Sequence, residues 1–167
     1  NDFADPAGSL FVSGAPRVFE TINQAIVSAA EAGALVVRTQ DWHPTHTPHF
    51  AKDGGIWPDH CVAETWGAEF HPDLVAEGPV VQKGTGGEAG YSGFTVRDPE
   101  SGESSPTELH GLLSSRGVTR VVVVGLATDY CVMETAIDAV NLGYDTELLA
   151  DGIAAVDLAP GDGARAI

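Results

Sequence analysis

Positive charge is scarce in this chain. Eight Lys and Arg stand against 24 Asp and Glu in 167 residues, a formal charge of −16. Such a surface repels phosphate backbones and anionic membranes, so neither nucleic acid nor a membrane is expected as a partner. Cysteine is nearly absent: two residues, Cys61 and Cys131, are too few for a disulfide framework. No apolar run approaches the roughly 20 residues of a membrane span, and no signal-peptide pattern opens the chain, which makes the cytoplasm the expected compartment. Hydrophobic residues nevertheless make up 43% and charged residues only 19%, which excludes a disordered chain. A domain of this length buries roughly 70% of the surface its unfolded chain exposes, enough for a core without staples.

Periodicity then divides the chain into elements. Val18, Ile22, Ala25, Ile26, Ala29 and Ala30 recur at helical spacing. They predict an amphipathic helix of about 16 residues, with Pro16 near its start and Gly33 just past its end. Residues 34–39 and 79–82 read as strands, the first of them buried. Residues 40–70 are rich in His, Pro and Asp and show no periodicity; loops this long are usually functional or disordered. Residues 84–93 form a Gly-rich loop and residues 98–105 a polar excursion. Ser105-Pro106-Thr107-Glu108 fits a capping box with Pro at the first helical position, opening a helix that runs to Arg116 and stops at Gly117. Residues 120–124 (RVVVV) predict a strand buried on both faces. Asp129 is expected to cap a helix closed by Gly143, and residues 146–150 form a further strand. This alternation predicts an α/β domain with a doubly wound, mostly parallel sheet and helices on both faces. The chain opens at Asn1-Asp2-Phe3 without a leading apolar strand, and residues 164–167 read as the opening of another helix. The expectation is therefore one domain spanning 1–167, truncated at both ends.

In open parallel sheets, ligands bind beyond the carboxyl ends of the strands. Three expected strand ends carry reactive groups: Asp41 and His43, then Lys83, then Cys131. Four of the six histidines (His43, His46, His49 and His60) fall within 18 residues of that long loop. Beside Asp41, imidazoles are borderline ligands suited to Zn, Fe or Mn. His46 competes for a place, and the alternative is solvated histidines packed on Trp42 and Trp57. Cys131, in the first turn expected after Asp129, would gain thiolate character from the helix dipole, and free N–H groups there could hold an oxyanion. The alternative is a small Cys packed against the sheet. Lys83 either snorkels to solvent or offsets negative charge beside the thiol, lowering its pKa. Cys61 reads as structural, and Asp157 as a cap for the last helix without chemistry.

Several motifs together carry a resemblance. They are Asn1-Asp2-Phe3, Asp41-Trp42-His43 with His49-Phe50, Trp57-Pro58-Asp59-His60-Cys61 and Gly67-Ala68-Glu69-Phe70-His71. Gln82-Lys83-Gly84, Tyr91-Ser92-Gly93-Phe94 and Gly125-Leu126-Ala127-Thr128-Asp129-Tyr130-Cys131-Val132 complete the set. Over essentially its whole length the chain resembles the nicotinamidase/pyrazinamidase branch of the isochorismatase-like cysteine hydrolases. The resemblance implies a doubly wound α/β fold, lacking here its first strand and last helix. It implies hydrolysis of nicotinamide, and of analogues such as pyrazinamide, to nicotinate and ammonia through a cysteine thioester, in NAD salvage. Cys131 maps to the nucleophile and Lys83 to the catalytic lysine. Asp41, His43, His49 and His60 map to the ligands of one divalent metal ion (Zn, Fe or Mn), leaving His46 a bystander. Leu126–Ala127 maps to a non-proline cis peptide, with the N–H groups of Ala127 and Cys131 as the oxyanion hole. Phe3, Trp57 and Tyr91 map to the walls of the substrate ring, although one extra residue separates Lys83 from Tyr91. The third catalytic residue, an aspartate four positions before Asp2, maps ahead of residue 1. The sequence leaves a homo-oligomer open. Two other readings stand beside this one: another small-amide hydrolase of the same superfamily, and a non-catalytic metal-binding domain.

Overall fold

Helix α1 (Ala15–Glu31) buries Ala15, Val18 and Ile22 on one face. Pro16 sits in its first turn, where its absent N–H has no helical partner to lose, and Gly33 turns the chain away at φ +68°. The computed structural model describes residues 1–75 and 77–167. After α1 come β1 (Arg38–Asp41), β2 (Val80–Lys83), β3 (Thr95–Arg97), β4 (Ser104–Pro106), α2 (Leu109–Ser114), β5 (Arg120–Leu126), α3 (Met133–Asn141), β6 (Asp145–Ala154) and α4 (Asp162–Arg165).

Among the described residues the strands form three pairs. β1 runs parallel to β2, with Asp41 opposite Lys83. β5 runs parallel to β6, with a register shift between Val123 and Gly125. β3 and β4 make an antiparallel hairpin. The free edges of the two parallel pairs border one apolar slot. A cavity of about 300 Å³ there is lined by residues 34–37, Val121, Val122, Val123 and Val124 with Phe94, Leu109 and Leu113. A second, of about 270 Å³, runs along β1 and the end of β5 to Asp41, Lys83 and Cys131. Two apolar clusters hold the surrounding elements. Val81, Phe94, Leu109, Leu113, Ala139 and Tyr144 join β2, α2 and α3. Ala4, Val12, Ala15 and Ala127 join the N-terminal turns to the end of β5. Each large side chain buried this way stabilises the fold by roughly 1.5–3 kcal/mol.

Several expectations are corrected. The first strand is laddered only over β1, because β2, its partner among the described residues, begins at Val80; residues 34–37 line the slot instead. Ser105 and Pro106 pair with Val96 and Thr95 in the hairpin, so they form no capping box. Helix α2 starts at Leu109, and the Thr107 hydroxyl accepts the Leu109 N–H at 3.2 Å. β5 is not buried on both faces: Val122 is 48% exposed. Asp129 caps no helix, since α3 begins at Met133 after a π-helical turn, Thr128–Val132. Asp157 does serve the last helix, where its carboxylate accepts the Gly163 N–H at 2.8 Å.

The long loop is ordered by its own backbone bonds. His43 N–H donates to Cys61 O at 2.9 Å, and Ala63 N–H returns to His43 O at 2.8 Å. The buried Asp2 carboxylate accepts Cys61 N–H at 2.7 Å and Ser9 N–H at 3.1 Å, tying the loop to the N-terminal turns. Among the described residues no helix is long and apolar enough to cross a membrane.

Candidate active site and metal centre

The parallel register of β1 and β2 ends both strands together and sets Asp41 beside Lys83, where one carboxylate oxygen pairs with the ammonium. Lys83 is only 5% exposed. Its Nζ lies 3.7 Å from the Cys131 sulfur, at the end of β5. Burial alone would lower the lysine pKa, but Asp41 and Cys131 hold it above its ordinary value. Burial pushes Asp41 up, and Lys83 and His43 more than offset this, so the carboxylate stays ionised.

Cys131 stands in the Thr128–Val132 turn rather than in the first turn of an α-helix. The preceding Leu126–Ala127 peptide is cis. Tyr130 N–H and Val132 N–H both donate to Ala127 O, at 3.1 and 3.0 Å, while the Ala127 N–H bears on the Cys131 sulfur. Burial raises the thiol pKa; Lys83 and the Ala127 N–H offset only part of the rise. The thiol therefore keeps its proton at neutral pH, against the expectation of a lowered pKa.

Three imidazoles face one another across the loop. His43, His49 and His60 each bring a ring nitrogen within 4.8 Å of the other two. The carbonyl of Pro58 can only accept, so the 2.7 Å contact protonates His60 at Nδ1 and leaves its Nε2 lone pair free. Nε2 of His43 is buried without a hydrogen-bond partner. Burial holds His43 and His49 down at about 4, and holds His60 below its ordinary value. All three are neutral at pH 7, the state a ligand needs. Asp41 borders this cluster, its second oxygen 3.9 Å from His43 Nε2. Three neutral imidazoles, an orphaned ring nitrogen and an adjacent carboxylate fit a divalent metal ion. His46 lies apart, exposed and paired with Asp53 at 3.1 Å. Gly84 makes room: at φ +77°, a Cβ there would stand 2.5 Å from His43 Nδ1.

Aromatic rings close the site. Phe3 lies 5.4 Å from the His60 ring, and Trp57 Nε1–H donates to the Tyr91 hydroxyl at 3.0 Å. Tyr91 lies 6.0 Å from His49. Sequence reasoning missed Tyr130, whose ring sits 4.9 Å from Trp57 and 5.0 Å from Tyr91; its position next to Cys131 was the available signal. The line Cys131–Lys83–Asp41–His43 thus joins a thiol to a cluster whose donors fit a divalent metal ion. That arrangement suits attack on a carbonyl whose other end is held at the imidazoles.

Comparison with known proteins finds relatives over nearly the whole chain. The isochorismatase domain model matches residues 1–164. The chain is 41% identical over 161 residues to the nicotinamidase/pyrazinamidase of Mycobacterium tuberculosis, covering 93% of this chain and 82% of that protein. It is 34% identical over 191 residues to the nicotinamidase of Escherichia coli, covering 99% and 84%. The solved pyrazinamidase of Pyrococcus horikoshii in complex with zinc superposes with a TM-score of 0.85 at 39% identity, over 99% of this chain and 86% of that one. The yeast nicotinamidase bound to the inhibitor nicotinaldehyde gives 0.87 at 27% identity, over 99% and 89%.

Proposed function

The chain belongs to the isochorismatase-domain family, and on that premise we propose that it is a metal-dependent nicotinamidase acting in NAD salvage. It hydrolyses nicotinamide, and analogues such as pyrazinamide, to nicotinate and ammonia. The observation that carries this reading is the buried contact line from the Cys131 thiol through Lys83 and Asp41 to three neutral histidines.

Asp41, His43, His49 and His60 would hold one Zn, Fe or Mn ion, which when bound would supply a Lewis acid for the lone pair of a ring nitrogen. Phe3, Trp57 and Tyr91 wall the flat ring. Cys131 gives its proton to an aspartate, the third catalytic residue that the family resemblance implies. The thiolate then attacks the carboxamide carbon, a C–S bond forms, and the carbonyl electron pair moves to oxygen. The N–H groups of Ala127 and Cys131 hold that oxyanion. Its collapse breaks the C–N bond, and the aspartic acid's proton leaves with the nitrogen as ammonia. Water next cleaves the thioester, releasing nicotinate and returning a proton to sulfur. Lys83 balances the negative charge shared by sulfur and aspartate. Free cysteines at 61 and 131 suit a reducing compartment, the cytoplasm.

Ammonia release from nicotinamide by the full chain tests the reading. Stripping metal with a chelator should abolish release, and Zn, Fe or Mn should restore it. Turnover of a different amide only would make it another small-amide hydrolase of the family. Bound metal without turnover of any amide would leave a metal-binding domain.

A further inference from the structure

We propose that Asp129 is a positioning residue: its carboxylate clamps the nucleophile turn to the segment after β6 and so sets where the Cys131 sulfur stands. This inference rests on the reading of Cys131 as nucleophile. Asp129 lies two residues before Cys131 and is 8% exposed. Its acceptors leave its own turn entirely. Oδ1 accepts the Val156 N–H at 3.0 Å, and Oδ2 accepts the Asp157 N–H at 2.8 Å. Two consecutive backbone donors thus close on one buried carboxylate, a charge-assisted pair of bonds.

The segment at the other end of the clamp is itself anchored. Asp157 holds φ +54°, and its carboxylate accepts the Gly163 N–H at the start of α4. Val156 packs in the apolar cluster with Leu126, Ala127 and Tyr130. The bonds from Tyr130 and Val132 to Ala127 O are internal to the turn; they shape it without placing it. The Asp129 clamp relates it to β6 and α4. Placement matters because Lys83 Nζ meets the sulfur at 3.7 Å, where a small displacement loses the contact. A misplacement of about 1 Å at a reacting group costs on the order of 100-fold in rate.

Asp129→Asn keeps the volume but turns an amide NH₂ toward one of the two N–H donors. In the full chain it should lower kcat about 10- to 100-fold with KM within about twofold, and slow alkylation of Cys131 by iodoacetamide at fixed pH. Asp162→Ala is the control: it removes the bond from Ala159 N–H in the same segment without touching the clamp. It should lower Tm while leaving kcat and alkylation unchanged. Should Asp129→Asn fail to fold, Asp129→Glu retains both acceptors one methylene further out and should show an intermediate loss of kcat. A lowered Tm with wild-type kcat and alkylation, in whichever variant folds, overturns the proposal and makes Asp129 a structural tie. Wild-type protein alkylated at Cys131 that still releases ammonia would instead overturn the reading of the nucleophile.

Discussion

Lys83 is buried between a carboxylate and a half-buried thiol, and that placement decides the chemistry open to Cys131. The residues of this site were largely legible in the sequence because each is chemically conspicuous and falls at a strand end or in a His-rich loop. Choosing between His46 and His49 was not open to spacing alone; it depends on the backbone path through the 3-10 turn Ala51–Asp53, which leaves His46 on Asp53. Replacing His49 with Ala should therefore lower bound metal, measured by elemental analysis, while His46→Ala retains it. Full occupancy in the His49 variant would reassign the ligand. The same imidazoles predict a pH dependence. Their folded-state pKa is depressed to about 4 in His43 and His49, below the ordinary 6.5 of the unfolded chain. Between those values the unfolded chain binds protons that the folded chain refuses, so stability is full above pH 6.5 and is lost as pH falls toward 4. Tm of the metal-free protein should fall through that window, and a flat profile would contradict the burial of these rings.

At the scale of elements, helices and apolar strands announce themselves by periodicity, and α1, β2, β5 and β6 follow it within a few residues. The hairpin of β3 and β4 did not, because its strands are three residues long and largely polar, and its stability comes from pairing rather than pattern. The Ser105–Glu108 motif misled for the same reason: a capping box is a local preference, and the tertiary pairing of Ser105 overrode it. The turn after β2 makes a sharper point. Gly84 leaves the strand at a positive φ directly under His43. Gly84→Ala should destabilise the fold by about 1–3 kcal/mol in urea titration and reduce bound metal. Unchanged stability and metal content would mean that the loop has another route past His43.

For the whole molecule, two parallel pairs face a shared apolar slot that runs toward the Cys131 thiol. Nothing in the hydrophobic pattern distinguishes a strand paired on one edge from one paired on both, so the division into pairs was not readable. Charge is a second property of the whole. At −16, self-repulsion works against the compact state and is relieved as the screening length shrinks to about 8 Å at 0.15 M salt. Tm should rise on adding chloride at constant pH, by roughly 2–4 °C for each kcal/mol of repulsion removed. A Tm independent of salt would show that the acidic residues are spread too widely to interact.

The central claim is that the Cys131 sulfur performs the chemistry while the histidine cluster holds the other end of the substrate. Its most direct test is ammonia release from nicotinamide by metal-loaded Cys131→Ala in the full chain. The account predicts no release above background, with metal content equal to that of the unsubstituted protein. Turnover within tenfold of that protein would contradict it.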